Sequence, residues 1–449
     1  MTGTGAVPRK LTWPSRRGLL FGAAAGAGVA AIAGAGIYQA VEDGEARAPG
    51  VTVPLVPLGA QPAGLPVRQH SWDAYLAADP QGNPVSPKFD RLLFFDVNGT
   101  PSPAYARLLE AALRTLERSY RWRPSGLLFT AAWGPGYFRD VLGVSAPVPP
   151  ATALSDFEQP LIDDYHLCLH LASDDESRLT AIEAALTRGT PLPATGLSVT
   201  GLSATGAGGQ LDISRVLRWR QSRTGFVGTG LPAGHQDVNG IPAGQPVPKG
   251  SPLFMGFKSG LRRNQASEDD VTIPDGPFAG GTTMHVSYLR LRLGTWYGQL
   301  SQRERVARMY APQVTPEQVT EFSTDAESDP NLLGQAITGY GVIGHAQTCA
   351  RARRGGSPII LRRDFDTTDG GLAGLHFVSL QRTIADLVTT RTAMNATGAG
   401  LQNPSITDTV NNGINEFIFV LQRGNYVVPA RSQRSFPLLP PDAQDDRYL

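Results

Sequence analysis

The same succession of segments occurs twice along this chain of 449 residues. In the first pass "RLLFFDV" (91–97) is a short apolar strand, and 102–120 follows with Leu108, Leu109, Ala112, Leu113 and Leu116 at helical spacing. "GLLFTAAW" (126–133) and the alternating "DYHLCLHLAS" (164–173) then read as strands, and 175–188 as an amphipathic helix. The second pass runs strand 282–297, helix 301–311, strands 357–365 and 371–381, helix 382–396. Strand, helix, strand, strand, helix is the order of a split βαβ unit. Its repetition predicts an α+β protein of two ferredoxin-like halves with antiparallel sheets. A generic two-layer α+β protein is the plainer alternative.

The expected organisation is an irregular lead-in over 49–86, a first half over 87–190, a second half over 253–400 and a C-terminal extension over 401–449. Between the halves, 191–252 is rich in Gly, Ser, Thr and Pro and reads as an irregular connection with strand-like pieces near Leu211–Trp219. With 41% hydrophobic residues the chain can bury a large core. A net charge of +1 does not fit a nucleic-acid binder, which shows a strongly basic domain. The two cysteines, Cys168 and Cys349, match no zinc spacing. A buried free thiol at Cys168 is expected over a disulfide.

The N-terminus carries Ser15-Arg16-Arg17-Gly18-Leu19-Leu20 and then a Gly/Ala-rich apolar run. This is the pattern of a twin-arginine export signal, assigned here to residues 1–48. An uncleaved anchor is the other reading, since 18–40 is long enough to span a membrane. Either way the expected place is extracellular or in the cell envelope, with the twin-arginine translocation machinery as a partner. Substrates of that route cross folded and often carry a cofactor.

Candidate chemistry gathers in the second pass. In "MGFKSGLRRNQASEDD" (255–270), Gly256 and Gly260 bracket a loop with Ser259 at its tip, the arrangement that lets backbone turn sharply or approach a ligand closely. Of seven histidines, His166 and His170 flank Cys168 on one strand face. A metal site there is conceivable, but a solvated polar face is the better reading. His345 differs, because "GHAQTCARARRGGSPIILRRDF" follows it with an arginine cluster and a strand ending in Arg362-Arg363. A neutral imidazole binds iron, and guanidinium forks suit carboxylates. Haem presents both an iron and two propionates. A solvated basic helix with a structural histidine is the alternative.

Taken in order, several motifs resemble those of the dye-decolourising peroxidases, a haem family of two ferredoxin-like halves in the dimeric α+β barrel superfamily. "FMGFKSG" stands where that family has GxxDG, and "AGGTTMHVSYLRLRLGTWY" where it has a GGS/T turn and a strand ending in Trp. "LSQRERVARMY", "IGHAQTCARAR", "IILRRDF" and "AGLHFVSLQRTIADLV" follow in family order, with "GLLFTAAWGPGYF" in the first half. The resemblance covers roughly residues 87–400. It implies haem b, with His345 as the axial iron ligand and Arg362 as the distal arginine, favoured over Arg363. It implies Gly256 and Gly260 beside the haem face. Leu375 and Phe377 would face the pocket and His376 away from it.

The departure is Ser259, which stands where the family's catalytic Asp should be. In the family that Asp moves a proton between the two peroxide oxygens, and the arginine stabilises negative charge. A serine hydroxyl does not ionise near neutral pH, and losing proton-transfer catalysis costs roughly 100- to 10,000-fold. Glu268, Asp269, Asp270, Asp364 and Asp366 are substitute acids. The first three read better as surface carboxylates pairing with Arg262 and Arg263. The expected function is an exported, peroxidase-like haem protein that oxidises an unknown reducing substrate with hydrogen peroxide through Arg362. The alternatives are a non-catalytic haem-binding or haem-handling envelope protein, or a haem-free relative. No nucleic-acid partner is expected, and a homo-oligomer stays open.

Overall fold

The computed structural model describes residues 63–192, 211–324 and 332–439. The first half contains β1 (Phe89–Val97), α1 (Pro103–Ser119), β2 (Leu128–Trp133), β3 (Leu167–Ser173), α2 (Glu176–Arg188) and β4 (Leu217–Phe226). The second half contains β5 (Thr282–Leu291), α3 (Gln302–Met309), α4 (His345–Cys349), β6 (Ile360–Arg362), β7 (Phe365–Thr367), β8 (Gly374–Gln381), α5 (Ile384–Asn395) and β9 (Ile418–Val428). Helix starts are written in the local sequence. The Ser102 hydroxyl and the Asp175 carboxylate accept backbone N–H groups of α1 and α2, each replacing a helical partner those N–H groups lack. On α1, Leu109, Ala112, Leu113 and Leu116 form the buried stripe that packs on the sheet.

Within the first half the strand order is β4-β1-β3-β2, and within the second it is β9-β5-β8 with β6 and β7 in line along the far edge of β8. Both are antiparallel and both have the ferredoxin-like order. The fold is therefore α+β with two ferredoxin-like halves. The free edges meet, β4 with β7 through Phe226 and Asp366, and β2 with β9 through Trp133 and Val427. The two sheets thus close into one ring. An apolar cluster from both halves fills its interior, including Leu92, Phe94, Cys168, Met284, Val286, Phe365 and Val378.

Closure explains three departures from expectation. All of β3 is buried, so Cys168 and His170 lie in the ring interior and not on a solvated face. His170 is bonded to Asp90 there. Alternation signals a buried face only where the other face meets water. Second, the stretch expected to be irregular over 191–252 contains β4, the ten-residue fourth strand of the first half. Its "RWRQSR" core hides the alternation because its arginines are paired, Arg218 and Arg220 with Asp96 and Arg223 with Asp163. Third, the expected C-terminal extension contains β9, the fourth strand of the second half. Both cysteines are free. The expected export signal or anchor lies outside the described residues, as does 193–210 of the connection. Among the described residues no helix is long and apolar enough to cross a membrane.

A buried ion network fixes the segment after β9 to α1. Glu117 takes bonds from Arg431 and Arg434, and Arg434 also reaches Glu110. Glu117, Arg431 and Arg434 are almost wholly shielded from solvent. Removing one partner leaves buried, uncompensated charge. Glu117→Ala should therefore cost about 3–5 kcal/mol of unfolding free energy, measured by urea denaturation. Glu176→Ala on the exposed start of α2 should cost well under half of that.

Candidate functional site

A cavity of about 230 Å³ lies on the outer face of the second sheet, beneath α4 and α5. Strand register determines which side chains reach it. Directly paired residues share a face, so three rows cross the sheet: Asp366–Leu375–Leu289–Val420, then Phe377–Ser287–Arg423, then Arg362–Ser379–His285–Asn425. A bulge between Val420 and Gln422 reverses the parity of β9, which is why both Val420 and Arg423 face the cavity. On α5, Leu387, Thr390, Arg391 and Met394 line it at helical spacing. The loop after Met255 contributes Phe257, Lys258, Ser259 and Gly260.

His345 opens α4 and lines the cavity. Its backbone is seated by Gly344, where a Cβ would stand 1.8 Å from the Tyr310 carbonyl oxygen, so only glycine fits. Burial, helped by the charges of Arg362 and Arg391, pulls its pKa down to about 3, so the imidazole is neutral. Among the described residues, the contact to its ring nitrogens is the Cys349 sulfur, 3.7 and 3.9 Å away. The other cavity histidine, His285, is bonded on both nitrogens, to Asn425 and Ser287, each at 2.7 Å. His345 therefore offers a lone pair to the cavity and His285 does not.

The strand carrying Arg362 puts charge in the same cavity. β6 and β7 keep one register against β8, so Arg362, Asp364 and Asp366 share a face. The Arg362 Nε is buried without a hydrogen-bond partner. Arg363 points the other way, bonding the His70 carbonyl and Glu268 and stacking over Trp72. The Ser259 hydroxyl donates to Asp364 Oδ1 at 3.3 Å. Asp366 is fully buried, accepts the Phe254 N–H on Oδ2 and leaves Oδ1 unpaired. Burial, together with nearby Asp364, raises its pKa well above the carboxylate range, against the lowering effect of that bond. Burial thus favours the protonated form of Asp366. Glu268, Asp269 and Asp270 lie elsewhere. Glu268 caps Trp72 and Asp73 and pairs with Arg363, Asp269 pairs with Arg68, and Asp270 bonds Ser267.

A third polar group was not legible in sequence. Glu158, from the loop between β2 and β3, bridges Arg391 and Arg423 in the cavity wall. Burial lowers the Arg423 pKa to about 10, and its Nε and one terminal nitrogen are buried without partners. The three residues are scattered in sequence and only the fold joins them. Of the residues expected at the site, Ser259, Gly260, His345, Arg362, Leu375 and Phe377 line this cavity. Gly256 does not. It turns the loop at φ +83° against Tyr297, while Gly260 makes the second turn at φ +76°. His376 lies on the opposite face of β8, bonded to Asp369. Among the described residues no cluster of three or more His, Cys, Asp or Glu could hold a metal ion.

The residues present fit haem. One neutral imidazole is unclaimed by oxygen or nitrogen, two guanidinium groups have unpaired N–H donors, and Leu289, Leu291, Leu375, Phe377 and Val420 form an apolar wall. The model of a family described as "Family of unknown function (DUF7405)" matches residues 87–430. No curated protein matches the chain. The chain is similar to solved structures of a putative dyp-type peroxidase from Shewanella oneidensis (16% identity, 78% of this chain and 94% of that one, TM-score 0.48). It is also similar to a DyP-type peroxidase from Cellulomonas bogoriensis (18%, 80% and 95%, TM-score 0.49). A third is a DypB variant in complex with heme from Rhodococcus jostii RHA1 (13%, 85% and 99%, TM-score 0.48).

The raised pKa of Asp366 has a measurable consequence. Its pKa is raised on folding, so between pH 3.8 and the folded value the native state holds a proton that the unfolded state has lost. Its contribution to stability is thus full below pH 3.8 and declines as pH rises. Asp366→Asn keeps an acceptor for the Phe254 N–H and removes that decline. The difference in unfolding free energy, variant minus wild type, should grow from pH 4 to pH 8, measured by denaturant titration. A flat difference would show an ionised Asp366.

Proposed function

The chain belongs to DUF7405, and we propose that it is a haem-binding, peroxidase-like protein that acts on hydrogen peroxide and an unknown reducing substrate. The observation that supports this most is a single cavity lined by both the unclaimed His345 imidazole and the buried, unpaired N–H groups of Arg362 and Arg423. In this reading a His345 ring nitrogen holds the iron of haem b. Arg391 and Arg423 hold its carboxylates, since Glu158 leaves two of the Arg423 nitrogens unpaired. Leu375, Phe377 and Leu289 pack on the flat apolar ring and keep water from it.

Bound there, a ferric haem supplies the electrons for peroxide cleavage and later takes them back from the reducing substrate. Arg362 carries a fixed positive charge and directs an unpaired N–H into the cavity. Its part is to bind peroxide and stabilise the negative charge that develops as the O–O bond lengthens. Ser259 can orient a peroxide or a water through its hydroxyl but holds no ionisable proton near pH 7. That last property favours a second reading, a haem carrier of the cell envelope with the same cavity and little peroxide chemistry. Export follows the twin-arginine segment at Ser15–Leu20 in either case.

Titrating purified protein with hemin should give a strong Soret band with saturable stoichiometry. His345→Ala should abolish or shift that band. A colourless protein that takes up no haem would exclude both readings. Arg362→Ala should keep haem uptake and lower the rate of reaction with peroxide by roughly 100- to 1,000-fold, followed by stopped-flow absorbance. No reaction of the wild type with peroxide would leave the carrier.

A further inference from the structure

We propose that Asp364 is the proton-transfer residue of this cavity and that Ser259 is its positioning residue. The inference rests on the haem reading above and names the acid–base group which that reading leaves open.

Three observations carry it. First, the unbroken register from β6 to β7, kept by the Arg363 N–H bond to the Val378 carbonyl at 2.7 Å, places Asp364 on the same face as Arg362 and two residues from it. An acid and a guanidinium with an unpaired N–H therefore border the same space. Second, Ser259 donates to Asp364 Oδ1, and among the described residues Oδ2 takes no hydrogen bond. The serine thus holds the carboxylate in one rotamer and leaves the other oxygen free to take a proton. Third, Asp364 borders two cavities. A smaller one of about 50 Å³ is lined by Asp73, Asp90, Gln265 and Arg363, and Ser259, Gly260, Arg362 and Asp364 line both. Asp364 therefore stands in the partition between the two cavities, the smaller of which also has Trp72, Leu76, Val227 and Leu361 in its lining.

The neighbouring acid is less suited to this part. Asp366 is fully buried, and one of its oxygens is anchored by the Phe254 N–H. The charged groups around Asp364 are Arg362 and Asp366 on the same face, Lys258 beside Ser259, and Asp73, Asp90 and Arg363 toward the smaller cavity. Lys258 is engaged by Asp79, Arg363 by Glu268 and Asp90 by His170. Arg362 is thus the cation left to face the carboxylate.

The proton relay balances with the haem on which the reading above rests, which would supply the two electrons that the other peroxide oxygen lacks once the O–O pair has left. Asp364 Oδ2 takes the proton from one oxygen of hydrogen peroxide and gives it to the other oxygen. That oxygen leaves with the O–O electron pair, its own hydrogen and the transferred proton as water. The carboxylate is regenerated. Arg362 stabilises the charge before the proton arrives.

The test compares wild type with Asp364→Asn, Asp364→Glu, Ser259→Ala and the double variant Ser259→Asp, Asp364→Asn. Three readouts are used: Soret titration with hemin, the association rate of cyanide (whose binding as HCN needs a proton acceptor), and the rate of reaction with peroxide. Asp364→Asn should keep haem uptake and lower the cyanide and peroxide rates together by roughly 100- to 10,000-fold. Asp364→Glu should keep part of both. Ser259→Ala should give a smaller loss and a displaced pH profile, and the double variant should recover at least tenfold over Asp364→Asn. In haem-free protein labelled with ¹³C-carboxyl aspartate, Ser259→Ala should move the Asp364 resonance. Haem-loaded Asp364→Asn with wild-type cyanide and peroxide rates overturns the assignment and leaves the haem reading intact. Failure of the wild type to take up haem overturns that reading and this assignment with it. An unmoved resonance overturns the role of Ser259.

Discussion

Everything at the site depends on the closure of two sheets into one ring. At each junction an edge strand of one half pairs with an edge strand of the other. That removes the unpaired edges which two separate sheets would expose. It also gives each strand an inner face, packed with side chains from both halves. The outer face of the second sheet is then the surface on which α4 and α5 can cover a chamber. Asp366 sits at this junction, paired across strands with Phe226 on one side and Leu375 on the other. The same residue joins the halves and lines the cavity.

Local elements were legible because local physics writes them. The helix caps at Ser102 and Asp175 and the Leu109–Leu116 stripe are readable within a few residues. β4 and β9 were not, for two different reasons. β4 hides behind arginines whose partners lie elsewhere, Asp96 on β1 and Asp163 in the loop before β3. β9 changes parity at its bulge, so Val420 and Arg423 face one way and no single alternation spans the strand.

The site divides along the same line. Single residues in distinctive local settings could be picked out, such as His345 before its arginine run and Ser259 between two glycines. The structure brings these into one cavity with Arg362, Leu375 and Phe377. Groupings made only by tertiary contact could not be picked out. Glu158 reads as an ordinary loop acid until Arg391 and Arg423 close on it. The choice among five candidate acids also needed register. Strand parity turns Asp364 and Asp366 inward, and the lead-in segment draws Glu268 away to Trp72 and Asp73.

The two inward acids are separated by their environments more than by their chemistry. One is sealed and tied to a backbone amide, and burial favours its protonated form. The other is half-exposed, bonded by a serine and borders a second, smaller cavity. Different environments for two carboxyl groups are a common source of distinct roles in one pocket. Here the separation also limits electrostatic cost. Two ionised carboxylates on one strand face would repel strongly in a low-dielectric wall. A protonated Asp366 avoids that repulsion, and Arg362 shares the face with both acids. A serine at position 259 is consistent with that arrangement, since an aspartate there would add a second negative charge within hydrogen-bonding distance of Asp364.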